Sequence, residues 1–175
     1  MTIERVGLLK FAGGDVTVVG PDLAAGQAAP DFTVQTQEWA AFRGLQDTAG
    51  KVRIIGSLLS VNTSVCDRET RQFNQEAAHL GDDITILAIS MDLPFTLKNW
   101  CASAGIDKVI TLSDHLQADF GTKYGVLLKE PRFFRRAIFV VDRKGTITYA
   151  AYMPILGQEP KYDEVLEAAE KALQS

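Results

Sequence analysis

The sequence predicts an α/β fold in which a sheet with parallel strands is flanked by helices. Two apolar runs, at residues 52–59 and 84–90, are short, rich in branched side chains and not periodic on a helix, which is typical of buried parallel strands. Between them, residues 64–80 carry apolar side chains at helical spacing and end before Gly81. A strand, a helix and a second strand in this order predict a right-handed parallel crossover.

The segment before this crossover predicts a β-hairpin and a connector. Apolar residues alternate on either side of Gly13 and Gly14, so we expect two short strands joined by a turn within residues 1–20. Residues 20–30 contain Pro, Ala and Gly and indicate a surface connector. Residues 31–34 predict a short strand, which an irregular stretch follows.

The segment after the crossover predicts further helices and strands in alternation. We expect helices over 94–104, 114–124 and 161–173, a strand at 109–112 and an antiparallel hairpin over 137–151. Parallel strands followed by a terminal hairpin and a helix describe a thioredoxin-like α/β sandwich, a mixed sheet flanked by helices. We expect one domain over residues 1–175, with residues 1–20 as an N-terminal hairpin extension.

Composition excludes several classes of protein. The chain has 175 residues, of which 46% are hydrophobic, and 18 Lys and Arg against 22 Asp and Glu give a net charge of −4. Such a balance attracts neither nucleic acid nor an anionic membrane, and the basic cluster at 129–136 is typical of a solvated loop. No apolar stretch has the length of a membrane span and no signal-peptide pattern opens the chain, so we expect a soluble, cytoplasmic protein. His79 and His115 are isolated, so no metal site is expected.

The stretch 60–66 carries the candidate chemistry, because it ends in a cysteine within the first turn of the predicted helix 64–80. Thr63 or Ser64 can serve as the N-cap, and Ser64 with Asp67 resembles a capping box. The free N–H groups and the positive end of the helix dipole stabilise a thiolate, which indicates a nucleophilic Cys66. A buried, inert cysteine is the alternative, and local spacing leaves both open.

A set of motifs along nearly the whole chain carries a family resemblance. The motifs are Phe11-Ala12-Gly13, Ala29-Pro30-Asp31-Phe32, Thr63-Ser64-Val65-Cys66, Asp92-Leu93-Pro94-Phe95 with Trp100-Cys101, Tyr124-Gly125-Val126, and Arg136-Ala137-Ile138-Phe139. Taken together and in this order, they resemble the Tpx-type bacterial thiol peroxidases, which are atypical two-cysteine peroxiredoxins.

The resemblance implies a function as well as a fold. Cys66 matches the peroxidatic cysteine, which attacks a hydroperoxide and becomes a sulfenic acid. Cys101 matches the resolving cysteine, which forms an intramolecular disulfide with it that thioredoxin then reduces. The chemistry needs no cofactor and no metal. Members of the family usually dimerise, so a homodimer is implied.

Two further site residues follow from the resemblance. Thr63 matches the threonine whose hydroxyl touches the sulfur and the peroxide; a plain N-cap is the alternative, and one residue could serve both roles. Arg136 matches the arginine that keeps the thiolate charged, and the alternative is a surface residue ahead of a strand. Arg135 is the neighbouring candidate for the same role, but alternation along a strand predicts that its side chain faces the opposite side of the sheet.

The sequence departs from the family pattern at the loop before the cysteine. Leu59 replaces the usual proline and Asn62 replaces the usual acidic residue. Leu59 restores a backbone N–H and frees φ, so these departures concern turnover more than fold. They leave open a second hypothesis, that the protein is a redox-sensing thioredoxin-like interaction protein. A disulfide reductase is poorly supported, because no C-x-x-C motif is present.

Overall fold

The computed structural model describes residues 1–175 and contains ten strands and four helices. The strands are β1 (Glu4–Phe11), β2 (Gly14–Val19), β3 (Thr33–Gln35), β4 (Ala41–Arg43), β5 (Val52–Ser57), β6 (Ile84–Ser90), β7 (Ile110–Ser113), β8 (Leu127–Leu128), β9 (Ala137–Val141) and β10 (Ile147–Tyr152). The helices are α1 (Ser64–Leu80), α2 (Pro94–Ala104), α3 (Asp119–Lys123) and α4 (Tyr162–Leu173). None of these helices combines the length and apolarity that crossing a bilayer requires.

A seven-stranded mixed sheet organises the fold, in the order β10-β9-β5-β6-β7-β3-β4. The pairs β5–β6 and β6–β7 are parallel, whereas β9 runs antiparallel to β5. The N-terminal hairpin of β1 and β2 forms a separate three-stranded sheet with β8. The predicted mixed α/β sheet with an N-terminal hairpin is therefore confirmed.

Alternate side chains of the central strands pack on opposite faces of the seven-stranded sheet. Ile54 and Ile138 belong to a cluster with apolar residues of α1, α2 and α4. Their neighbours Ile55 and Phe139 belong to a second cluster, with residues of α3 and of the N-terminal sheet. Burial on both faces explains why these strands read as continuous apolar runs.

Helix α1 has the predicted bounds, and its N-terminus settles which residue caps it. Thr63 has extended backbone angles and its hydroxyl accepts a hydrogen bond from Cys66 N at 3.2 Å. The Asp67 carboxylate is engaged elsewhere, since it accepts hydrogen bonds from Arg71 Nε at 2.8 Å and Trp100 Nε1 at 3.1 Å. Thr63 is thus the N-cap, and the capping box expected from Ser64 and Asp67 does not form.

The structure differs from the sequence prediction between the longer elements. The short strand β4 lies in the segment after residue 34 that is expected to be irregular, and β8 is a further short strand that the sequence did not predict. The helix predicted over 114–124 is reduced to α3, because Ala118 adopts a left-handed φ of +51°. The Asp114 carboxylate still accepts hydrogen bonds from the N–H groups of Asp119 and Gly121. The basic cluster is not a solvated loop, since Arg135 and Arg136 are buried.

Candidate active site

Cys66 lies at the end of the sheet where the parallel strands terminate, in the first turn of α1. Its side chain is fully buried at 0% exposure and its sulfur is a free thiol. The chain leaves β5, makes the turn at residues 58–63 and enters the helix at Ser64. The sulfur is therefore held next to the N-terminal N–H groups of α1, where negative charge is favoured.

Arg136 brings a positive charge to this sulfur. Its Nη2 donates a hydrogen bond to Cys66 Sγ at 3.1 Å, and the residue is only 1% exposed. Arg136 reaches the α1 side of the sheet because it lies two residues before Ile138, which faces the same way. The structure thus places the two candidates in direct contact, and the arginine is not a surface residue.

Arg135 faces the opposite side of the sheet, as alternation predicts. Its guanidinium pairs with Asp22, donates from Nε to Gly125 O at 2.9 Å, and stacks on the Tyr152 ring at 4.1 Å. These contacts fasten the connector after β2 to the sheet. The two adjacent arginines therefore have different partners, and only Arg136 contacts the cysteine.

Glu69 is a member of the site that the sequence analysis missed. It is 1% exposed and its Oε2 forms an ion pair with Arg136 Nη1. Burial raises the pKa of Glu69 to about 7, and the positive charge of Arg136 opposes that shift. Glu69 Oε1 and Arg136 Nε are both buried without a hydrogen-bond partner. The spacing along α1 could have indicated that Glu69 is buried, because Glu69 lies three residues after Cys66 and four before Phe73, on the same face of the helix.

Thr63 caps the helix and does not hydrogen-bond to the sulfur in this state. Its hydroxyl donates to Ser60 O at 3.1 Å and accepts from Cys66 N at 3.2 Å. A hydroxyl oxygen has two lone pairs, so one remains free after these contacts. The Thr63 hydroxyl therefore bonds to the main-chain N–H of Cys66 and keeps one acceptor site unused.

Cys101 lies on α2 in the same apolar cluster as Cys66 and is also a free thiol. It is 7% exposed, and its sulfur lies 3.2 Å from Thr111 Oγ1. Gln37 Nε2 donates to that same hydroxyl at 2.7 Å, which leaves the hydroxyl proton of Thr111 available to the sulfur. Burial raises the pKa of the Cys101 thiol, and the hydrogen bonds from Thr111 and Gln37 only partly oppose this effect.

Polar contacts hold α1 against α2 on the solvent side of the two cysteines. Trp100 Nε1 donates to Asp67, and Arg71 Nη1 donates to Ala104 O at 3.1 Å. The Arg71 guanidinium also lies 6.0 Å from the centroid of the Trp100 ring. The first turns of α1 and the last turns of α2 are thus joined by specific bonds that any separation of these helices must break.

Leu59 takes part in the packing around the site. Its side chain is partly buried and packs against the cluster that holds both cysteines. The residue therefore contributes bulk that keeps water from the sulfur, although it does not restrict φ as a proline would.

Comparison with known proteins places the chain in a family. Residues 25–150 match the AhpC/TSA family. The chain belongs to the AhpC/TSA family. A thiol peroxidase of Oceanobacillus iheyensis is 47% identical over 163 residues, which is 93% of this chain and 98% of that protein. A thiol peroxidase of Bacillus subtilis is 47% identical over 165 residues, covering 94% of this chain and 97% of that protein.

A solved structure of the AhpC/TSA fold type agrees with the architecture. The crystal structure of a peroxiredoxin-like protein from Aquifex aeolicus superposes with a TM-score of 0.85 at 32% identity, and the match covers 96% of this chain and 99% of that one. The resemblance to bacterial thiol peroxidases that the sequence motifs carry is therefore confirmed for this AhpC/TSA family member, together with its peroxiredoxin fold.

Proposed function

We propose that this AhpC/TSA family member is a thiol peroxidase that reduces hydrogen peroxide and organic hydroperoxides through Cys66. The observation that carries the proposal is the 3.1 Å hydrogen bond from Arg136 Nη2 to Cys66 Sγ at a helix N-terminus. A buried cation and a helix N-terminus both favour the thiolate, which is the nucleophilic form of cysteine.

The chemical step is a displacement on oxygen. The Cys66 thiolate attacks one oxygen of ROOH, so that an S–O bond forms while the O–O bond breaks. Sulfur is oxidised to the sulfenic acid and the peroxide is reduced to an alkoxide, which takes a proton to leave as ROH. The guanidinium of Arg136 can stabilise negative charge as it moves from sulfur to the leaving oxygen. Thr63 Oγ1 offers its free lone pair to the O–H of the hydroperoxide and so orients it.

Cys101 completes the cycle in this proposal. Its sulfur attacks the sulfur of the sulfenic acid, an S–S bond forms, the S–O bond breaks, and hydroxide leaves with the thiol proton as water. A dithiol reductant of the thioredoxin class then supplies two electrons and two protons to restore both thiols. If the disulfide forms before a second peroxide reaches the sulfenic acid, Cys66 is protected from over-oxidation to the sulfinic acid.

We expect formation of the disulfide to require local unwinding. Both cysteines lie inside helices, and the bonds from Asp67 to Trp100 and from Arg71 to Ala104 O hold those helices together. A disulfide needs the two Cα atoms within about 7 Å of each other. We expect residues 62–72 and 96–104 to lose amide protection in the disulfide form. Equal hydrogen exchange in the reduced and oxidised proteins would contradict this step.

A homodimer in the cytoplasm is the proposed setting. Trp39 and Phe95 are 41% and 63% exposed and lie 5.0 Å apart between ring centroids, near the start of α2. An exposed aromatic pair of this kind favours contact with another protein surface. Light scattering should give twice the chain mass for the wild type and a monomer for Phe95→Glu. Two free cysteines suit a reducing compartment such as the cytoplasm.

Stopped-flow reduction of hydrogen peroxide tests the proposed function. We expect the wild type to react orders of magnitude faster than free cysteine, and the Cys101→Ser variant to complete one turnover and then stall or over-oxidise. With thioredoxin and its reductase present, only the wild type should turn over repeatedly. A wild-type rate no faster than that of a free thiol would favour the redox-sensing reading instead.

A further inference from the structure

The turn that leads into the Cys66 helix is held from outside by one carboxylate. Asp92 lies between β6 and α2, where it accepts hydrogen bonds from Ser60 Oγ at 2.7 Å on one oxygen and from Val61 N at 2.9 Å on the other. Ser90 Oγ also donates to it at 2.7 Å. A single side chain from a different part of the chain therefore binds two consecutive residues of this turn.

The bonds continue from Asp92 to the cysteine without a gap. The carbonyl of Ser60 accepts from both Thr63 N and Thr63 Oγ1 at 3.1 Å. Ser60 Oγ accepts from Asn62 N at 3.2 Å, and Thr63 Oγ1 accepts from Cys66 N at 3.2 Å. Ser60 is thus the centre of the turn, and Asp92 fixes Ser60.

The main chain of Asp92 is in turn held by two residues of the sheet. Asp92 N donates to Ser90 Oγ at 3.2 Å, and Ser113 Oγ donates to Asp92 O at 2.5 Å. Ser90 and Ser113 are the last residues of β6 and β7, so the position of Asp92 is set by the ends of two rigid strands. His115 Nδ1 lies 3.0 Å from Ser113 Oγ and serves as its donor, because the serine proton is used on Asp92 O.

We propose that Asp92 is a positioning residue that holds the 58–63 turn, and with it Thr63 and the Cys66 thiol, in the geometry that reacts with peroxide. This inference rests on the proposed function. Leu59 leaves φ of the turn free, so hydrogen bonds must define its shape, and Asp92 supplies two of them. The Asp92 carboxylate bonds to Ser60, Val61 and Ser90 and not to the sulfur, so it acts through the turn.

The position of Asp92 has a second consequence for the cycle. The residue lies two positions before Pro94, the first residue of α2, and so belongs to the segment that leads to Cys101. The same carboxylate therefore joins the approach to the Cys66 helix to the approach to the Cys101 helix. When the helices unwind for disulfide formation, release of the hydrogen bonds from Ser60 and Val61 to Asp92 lets the turn move away from α2. Loss of Asp92 should thus slow the peroxide step while leaving resolution as fast or faster.

One variant of Asp92, one variant of its partner Ser60 and one matched control test the proposal. Asp92→Ala removes all acceptor contacts of this carboxylate to the turn. Ser60→Ala removes one of them, together with the hydrogen bond from Asn62 N to Ser60 Oγ, and keeps the bond from Val61 N to Asp92. Asp142→Ala is the control, because Asp142 is also half-buried in a loop and accepts two backbone hydrogen bonds at 2.9 Å, from Lys144 N and Thr146 N, in the hairpin turn after β9. The control has the same local chemistry and no link to the site.

We expect Asp92→Ala to lower the second-order rate constant for peroxide by about 100-fold, as displacement of a reacting group by roughly 1 Å can do. Ser60→Ala should show a smaller loss in the same direction, and Asp142→Ala a rate within about twofold of wild type. The disulfide-forming phase should not slow in any variant. A general loss of stability would instead lower the melting temperature and speed amide exchange throughout the protein rather than in residues 58–66.

Hydrogen exchange of the reduced protein separates this inference from the proposed function. Asp92→Ala should speed amide exchange in residues 58–66, whether or not the protein is a peroxidase, and Asp142→Ala should not. Exchange unchanged in Asp92→Ala, or a peroxide rate equal to that of the wild type, would overturn the inference. If Asp92→Ala fails to fold, Ser60→Ala decides by the same two measurements.

Discussion

Cys66 and Cys101 are the same side chain in two surroundings that differ in charge far more than in exposure. They are 0% and 7% exposed and belong to one apolar cluster. Cys66 faces the guanidinium of Arg136 at a helix N-terminus, whereas Cys101 faces a threonine hydroxyl in the second half of a helix. Burial alone stabilises the neutral thiol, so only the cysteine with a cation and a helix N-terminus is prepared for nucleophilic attack.

The largest expected effect comes from removing the charge at Cys66. Arg136→Met should lower the rate constant for peroxide by about 10²- to 10³-fold, the usual loss when one preorganised donor is removed from a reacting centre. Stopped-flow measurement of the first oxidation step checks this. Arg135→Met is the matched control: it cuts contacts to Asp22 and Tyr152 and should lower the melting temperature with little change in the rate. Equal rates in the two variants would remove the proposed difference between these arginines.

A second effect concerns Glu69, which holds Arg136 in place. The pKa of Glu69 is raised to about 7 in the folded protein, above its value in the unfolded chain of roughly 4.3. The folded state therefore binds more protons between these values, and its contribution to stability is lost as the pH rises toward 7. The free energy of unfolding of the wild type should fall, relative to Glu69→Gln, by up to about 1.4 kcal/mol per pH unit across this window.

Urea unfolding of both proteins at several pH values measures this difference. Asp114, whose pKa burial also raises to about 7, is present in both proteins, so its contribution cancels in the comparison. A difference between wild type and Glu69→Gln that does not vary with pH would show that Glu69 keeps one protonation state throughout.

The smallest expected effect concerns the pKa of the Cys101 thiol. In a Cys66→Ser background, Thr111→Val should raise the pKa of the Cys101 thiol further, because the hydroxyl that favours its thiolate is lost. The ultraviolet absorbance of the thiolate, followed against pH, measures this shift. Thr148→Val, on the distant strand β10, serves as the control and should leave the titration unchanged. An unchanged titration in Thr111→Val would mean that Thr111 does not act as the donor.

The sequence predicted the parts of the molecule that depend on local pattern. Helix α1 has both a periodic apolar face and end signals, so its bounds followed directly, and alternation placed Arg135 and Arg136 on opposite faces. The strands β4 and β8 have three and two residues, too few for any period to appear. Glu69 was missed because a glutamate on a helix usually faces water, and only the charge of Arg136, 67 positions away, stabilises it inside.

The contacts of Asp92 likewise could not be predicted from local sequence pattern. Asp92 belongs to one of the motifs that carry the family resemblance, but its bonds to Ser60 and Val61 join residues more than thirty positions apart. No local spacing encodes such a contact, because it arises only when β5 and β6 lie side by side and their following turns meet.

Single-cysteine proteins test the central claim most directly. Cys101→Ser keeps only Cys66, Cys66→Ser keeps only Cys101, and stopped-flow mixing with hydrogen peroxide gives one rate constant for each thiol under identical conditions. The account predicts that Cys66 reacts faster by about 10³-fold or more, since Arg136 and the helix N-terminus act on it alone. Rate constants within about tenfold of each other would contradict the claim that charge around Cys66, rather than its burial, makes it the nucleophile.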